Sequence, residues 1–265
     1  MQGIVIFGQG KTGTTALFHK IRASHPATRT YAQFEPREFS EPANQSEYDY
    51  SLTKLLLRSD SQLDYSLYNH FDKKIYVVRD PRDWIISKVL YAMRGPLIAR
   101  DPKSIAAVLN VLRQKESAPQ TTSFYALLEA FANHSGQTAA KFVSWIRNQQ
   151  IWLRGFECTL QDVHILRYEH LVDDHLTDLE AFLELPLHAG DAQPPLKHQK
   201  VIRTKSYNNW KNWFLDSDVA FFEPLFRDYI DRHGYGIDWS LNPDPIIDPA
   251  HCSDYVRKNM LEVDQ

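Results

Sequence analysis

A lysine among glycines and threonines near the amino terminus carries the first chemistry that the sequence offers. The segment reads Gly8-Gln9-Gly10-Lys11-Thr12-Gly13-Thr14-Thr15. Glycines let backbone N–H groups turn towards a ligand, Lys11 adds a full positive charge, and Thr12, Thr14 and Thr15 add hydroxyl donors. A helix beginning at the end of the loop adds the partial positive charge of its unpaired N–H groups. A loop of this kind holds a phosphate or a similar anion. It is short for an ordinary ATP or GTP loop, which needs a glycine six residues before the lysine. Val5 stands there instead.

A second cationic group lies at Arg79, in Ile75-Tyr76-Val77-Val78-Arg79-Asp80-Pro81-Arg82-Asp83-Trp84-Ile85-Ile86-Ser87. An arginine leaving a strand end presents a forked donor to a phosphate, and Ser87, eight residues on, can give a second hydrogen bond. Asp80 admits another reading, an acid that holds Mg²⁺ at the end of a hydrophobic strand. Arg82 and Asp83 read as surface charges. A third group follows late in the chain, where Arg203 and Lys205 precede Trp210-Lys211-Asn212.

These groups need strand ends and helix starts to hold them. Ile4 to Phe7 is a short apolar run, as in a fully buried parallel strand. Helical spacing begins at Thr14 and ends before Pro26, because the residue before a proline avoids the helical region. Tyr31 to Phe34, Leu52 to Leu57, Ile75 to Val78 and Val163 to Leu166 read as further strands. A helix from the region of Pro81 to Trp84 carries Ile85, Ile86, Val89 and Leu90. Ser104 to Leu112, Phe124 to Asn133, Ala139 to Trp152, Leu176 to Leu183 and Val219 to Ile230 read as helices, and Gly190 to Pro195 as a loop. Strands alternating with helices predict an α/β, P-loop-like three-layer fold, with a mostly parallel central sheet flanked by helices. No stretch rich in Gly, Ser or Pro divides the 265 residues, so one domain over 1–265 is expected. Ligands of such sheets bind outside the carboxyl ends of the strands.

These groups resemble motifs of sulfotransferases that use 3′-phosphoadenosine-5′-phosphosulfate (PAPS). Lys11-Thr12-Gly13-Thr14-Thr15 is similar to that family's 5′-phosphosulfate loop. The strand, arginine and serine of Ile75 to Ser87 resemble its 3′-phosphate motif. Arg203, seven residues before Trp210-Lys211-Asn212, matches the late loop that closes over the 3′-phosphate. The family's usual Lys-Gly after that arginine is replaced by Thr204-Lys205. Arg167-Tyr168-Glu169-His170-Leu171 resembles the family's Arg-Tyr-Glu-Asp-Leu and reads as structural. The resemblance implies PAPS as co-substrate, adenosine 3′,5′-bisphosphate (PAP) as product, and no metal. It implies Gly10, Lys11, Thr12, Gly13, Thr14, Thr15, Arg79, Ser87, Arg203 and Lys205 as donor-binding residues, with Lys11 also catalytic.

The proton of the attacking hydroxyl needs an acceptor. The cytosolic small-molecule branch uses a histidine within Lys-Thr-His-Leu-Pro. The comparable stretch here is Lys54-Leu55-Leu56-Leu57, with leucine in the histidine's place. The carbohydrate branch, which includes the heparan-sulfate enzymes, uses a glutamate, and Glu35-Pro36-Arg37-Glu38-Phe39 falls where that glutamate would be. Glu35 is the expected base, with Glu38 and Glu41 as neighbours. Ala16 replaces the adenine-stacking tryptophan of the cytosolic branch, which points the same way. The acceptor is then a hydroxyl, of a saccharide or a small alcohol. The span 88–162 lies outside the donor motifs, and its Tyr91, Arg94, Arg100, Trp145, Arg147 and Trp152 suit an acceptor side. A P-loop kinase using Lys11, Mg²⁺ and Asp80, and a non-catalytic nucleotide-binding module, are the other readings.

Composition narrows the setting. The net charge is −3 and charged residues make up 24%, so no global basic field points to nucleic acid. The anion sites must therefore be built locally. Two cysteines, Cys158 and Cys252, suit free thiols in a reducing cytoplasm rather than a disulfide framework. No segment approaches the ~20 apolar residues of a membrane span.

Overall fold

The computed structural model describes residues 1–93, 102–187 and 203–261. The expected loop at Gly190 to Pro195, and Arg94 and Arg100, lie outside the described residues. The chain falls into two compact units: Met1–Arg79 with Gln149–Gln199, and Asp80–Asn148 with Lys200–Gln265.

The first unit holds the sheet. Its strands are β1 (Gln2–Gly8), β2 (Thr30–Phe34), β3 (Tyr50–Leu56), β4 (Lys73–Val78) and β5 (Val163–Arg167). They lie in the order β2-β3-β1-β4-β5, and every pairing is parallel. Burial on both faces explains the near-continuous apolar run of β1. Ile4 and Ile6 point to one face, where they pack with Leu17, Phe18 and Ile21 of α1 (Thr14–Ser24). Leu179 and Leu183 join this core from a later helix, Thr177–Leu183. Phe7 and Tyr76 serve the other face. The Phe156 ring meets Phe7 edge-on, its centroid 5.5 Å away, and the Tyr76 hydroxyl donates to Glu157 Oε1 at 2.8 Å. Helix, sheet and helix end make the three layers, and the α/β expectation holds with a sheet that is parallel throughout.

The second unit is helical. It contains α2 (Pro81–Ala92), α3 (Pro102–Ser117), α4 (Phe124–His134), the first part of α5 (Ala139–Glu157), and after the sheet's last strand α8 (Trp210–Trp213), α9 (Asp216–Arg232) and α10 (Ser253–Leu261). Helices α6 (Tyr168–Val172) and α7 (Thr177–Leu183) belong to the first unit. Asp80 caps α2 by accepting the Arg82 N–H at 2.9 Å, and Pro81 takes the first helical position, where its missing N–H costs nothing. Asp218 is buried and accepts the N–H groups of Phe124, Tyr125 and Leu215, so one carboxylate caps both α4 and α9. Lys115 is buried as well. Its ammonium donates to the Pro119 and Thr122 carbonyls, and burial lowers its pKa to about 8.

Arg82 and Asp83 are not surface charges. Both are buried at the start of α2, a helix that is covered on nearly every side. The Arg82 guanidinium is held by both Asp80 oxygens, donates to the Asp238 carbonyl at 2.7 Å, and lies 4.3 Å from the Trp210 ring. Paired and stacked in this way, a charge can leave water. The short α6 and the closing α10 were not among the helices read from spacing.

Candidate active site

Five parallel strands bring five carboxyl ends to one edge of the sheet. In register, Gly8 of β1 lies beside Leu56 of β3 and Val77 of β4, Phe34 of β2 beside Lys54, and Val78 beside Arg167 of β5. From β1 the chain builds β2 and β3 to one side and β4 and β5 to the other. The crevice of a parallel sheet opens at such a switch. The glycine loop leaves β1 there.

The loop is tight at both ends. A Cβ on Gly8 would stand 2.5 Å from the Thr14 methyl and 2.8 Å from the Thr12 hydroxyl. Gly13 has φ 91°, and a Cβ there would stand 2.7 Å from the Tyr168 ring, so glycine is required twice over. Lys11 also has positive φ, at 78°, an uncommon conformation for a residue with a side chain. Gly10 differs. Nothing lies within 4 Å of its Cβ position, so protein packing does not demand glycine there, and space is left against the backbone for a ligand. Thr12 is buried, and its hydroxyl donates to the Gln9 carbonyl at 2.8 Å, bracing the loop. Thr14 and Thr15 open α1, whose first N–H groups have no side-chain cap.

Arg79 stands at the end of β4 and is only 5% exposed. Its Nη1 donates to the Lys11 carbonyl at 2.9 Å, and its guanidinium lies 4.2 Å from the centre of the Tyr168 ring. The arginine thus braces the unusual Lys11 backbone from behind. Its Nε is buried with no hydrogen-bond partner among the described residues. A buried donor of this kind calls for an acceptor. Tyr168, read from sequence as structural, is the wall that meets both Arg79 and Gly13.

Glu35 follows β2 directly, with φ 53°. Its N–H donates to the Lys54 carbonyl at 2.9 Å, and its Oε1 accepts from the Lys54 ammonium. Lys54 is 1% exposed at its side chain, against 36% for Glu35. Burial pulls the Lys54 ammonium below the usual lysine range, and the Glu35 charge opposes that pull. Among the described residues Glu35 Oε2 makes no hydrogen bond. Strands are about 4.8 Å apart, so Glu35 sits roughly 10 Å along the edge from the end of β1. Sequence reasoning passed over Lys54 as the partner. The signal was a lysine inside the apolar strand Leu52 to Leu57, where a charge must be paired. Glu38 is exposed, and Glu41 accepts from Gln45 at 2.8 Å near the end of the same segment.

The second unit carries Ser87, Arg203 and Lys205. Ser87 is buried on α2. Arg203 is buried and its Nη1 donates to the His251 carbonyl at 3.3 Å, while Lys205 is exposed. Trp145 and Trp152, candidates for an acceptor surface, spend ring faces on packing. Trp145 stacks on Trp84 in the second unit, and Trp152 on Phe156 in the first.

The sulfotransferase domain model matches residues 2–217. The chain belongs to the sulfotransferase domain family. As a sulfotransferase it is a PAPS-dependent enzyme. Among solved structures, a mouse sulfotransferase, SULT7A1, complexed with PAP, is similar at 16% identity and a TM-score of 0.45. The match covers 86% of this chain and 84% of that one. No curated protein sequence matches the sulfotransferase. Among the described residues, no helix is long and apolar enough to cross a membrane, and no group of three or more His, Cys, Asp or Glu side chains is placed to hold a metal ion.

Proposed function

We propose that this sulfotransferase moves the sulfuryl group of PAPS to a saccharide hydroxyl, with Glu35 as general base. The observation that carries the proposal is the Glu35 carboxylate on the loop's own sheet edge. It is anchored through one oxygen by Lys54 and, among the described residues, free of hydrogen bonds at the other. The leucines at 55–57 leave no histidine on β3 for the task.

Each residue then has a defined part. Lys11 and the N–H groups from Gly10 to Thr15 hold the 5′-phosphosulfate. Arg79, Ser87, Arg203 and Lys205 hold the 3′-phosphate. Glu35 Oε2 takes the acceptor proton as the acceptor oxygen bonds to sulfur. The bridging S–O bond breaks in line, its electron pair leaves on the phosphate oxygen, and Lys11 neutralises the charge that gathers there. Catalysis is alignment plus placed charge. Span 88–162 supplies the acceptor side, with exposed Arg147 suited to an acidic sugar. The two free thiols accord with a cytoplasmic setting. The kinase alternative draws no support from Asp80, whose two oxygens already hold Arg82.

Labelled PAPS offered with a panel of sugars, glycosides and small alcohols tests the acceptor. Label is expected on a sugar hydroxyl, with PAP released in equal amount. Transfer to phenols or simple alcohols alone would overturn the saccharide reading. PAPS left unconsumed with every acceptor, beside Mg²⁺-dependent turnover of ATP, would overturn sulfuryl transfer itself.

A further inference from the structure

Asp83 lies in the first turn of α2 and is 0% exposed. A carboxylate taken out of water must find donors. Asp83 Oδ2 accepts the Asn208 N–H at 2.5 Å, and Oδ1 accepts the Trp210 N–H at 3.0 Å. Both oxygens therefore grip one three-residue stretch. Asn208 has φ 60°, in the left-handed region, where even asparagine needs support from its surroundings. Beside it Arg82 lies over the ring of Trp210, which is itself fully buried. The first turn of α2 thus fixes the backbone at 208–210 through a carboxylate and the Trp210 ring through a cation.

What that stretch carries gives the contact its meaning. Arg203 and Lys205 lie five and three residues before Asn208. Ser87 lies four residues after Asp83, about one turn along α2, and so on the same face of the helix. The face that grips Asn208 and Trp210 is the face that carries Ser87. A segment anchored there leads back to Arg203 from a set starting point.

We propose that Asp83 is a positioning residue of the donor site. By holding the Asn208 and Trp210 N–H groups it fixes the 203–210 segment to the helix of Ser87, and so sets Arg203 and Lys205 before the donor arrives. The inference rests on the reading of Ser87, Arg203 and Lys205 as holders of the donor's 3′-phosphate. Asp83 itself touches neither substrate.

The test compares Asp83→Asn with Arg203→Ala. The amide introduced by Asp83→Asn keeps one acceptor oxygen and turns an NH₂ against the other N–H. PAP affinity by calorimetry, KM for PAPS, KM for the acceptor and kcat are measured on the same preparations. Asp83→Asn is expected to weaken PAP and raise the PAPS KM by about 10- to 100-fold, the scale of one charge-assisted hydrogen bond. Acceptor KM and saturated kcat should stay within about twofold, a split that loss of fold alone would not produce. Wild-type PAP affinity in folded Asp83→Asn, with PAP weakened in Arg203→Ala, overturns the inference and leaves the donor-site reading standing. Wild-type affinity in both variants overturns both. Should Asp83→Asn fail to fold, amide hydrogen exchange on the wild-type enzyme decides the matter. The Asn208 and Trp210 amides should exchange slowly without PAP. Protection that appears only on adding PAP overturns the claim that Asp83 sets the segment beforehand.

Discussion

Glu35→Gln is expected to lower kcat by about 10²–10⁴-fold while PAP binds as in the wild type, the usual cost of losing a general base. Glutamine keeps the size of the side chain and an oxygen for Lys54, but it cannot take a proton. The structure adds a second consequence. Lys54 is almost completely buried and has Glu35 as its counter-ion. Removing that charge leaves a buried ammonium with a weaker partner, so the variant should also melt at a lower temperature, at a cost of about 1–3 kcal/mol. Burial already lowers the Lys54 pKa, and without the Glu35 charge it should fall further. Glu35→Ala should lose more stability than Glu35→Gln with a similar loss of turnover. Glu38→Gln and Glu41→Gln should change either property little, because both acids are exposed and neither pairs with Lys54. Turnover, PAP titration and melting on one set of preparations check this. Near-normal kcat in Glu35→Gln would show the base to be elsewhere.

Arg79→Ala is expected to weaken PAP by about 10- to 100-fold or more, since the side chain has two parts to play. Its free Nε is placed to meet an anion, and its Nη1 braces the Lys11 carbonyl at the loop's strained residue. Alanine removes the ligand contact and slackens the loop together. Arg79→Lys should not rescue, because a lysine lacks the planar fork and cannot lie over Tyr168 in the same way. Calorimetric titration with PAP reads the effect. Unchanged affinity in a folded Arg79→Ala enzyme would contradict the assignment of Arg79.

The strands β1 and β4 were the most legible, because each carries a run of four apolar residues followed by polar or turn residues. The boundaries of β1, β4 and β5 fall within two residues of the runs that predicted them. Parallel pairing followed from alternation of strands and helices, and the edge that bears Glu35, Lys11 and Arg79 followed from parallel pairing. The contacts across elements were not legible. Nothing local tells that Lys54 on β3 reaches Glu35 after β2, or that Tyr168 lies against both Gly13 and Arg79. Asp83 and Arg82 were misread for a physical reason. A charged pair after a strand resembles a solvated turn, and only tertiary structure supplies the backbone amides and tryptophan rings that allow both to be buried.

Thermal denaturation with PAP and with ADP, each at the same concentration, tests the account at its centre. PAP carries a 3′-phosphate, which Arg79, Ser87 and Arg203 are proposed to hold, whereas ADP carries its second phosphate on the 5′ side and none at the 3′ position. PAP at about 100 times its dissociation constant stabilises by about 2.7 kcal/mol, or roughly 5–10 °C for a chain of this size. ADP at that concentration should shift the midpoint by less than about 2 °C. Equal shifts from PAP and ADP, or a larger shift from ATP with Mg²⁺, would contradict the account.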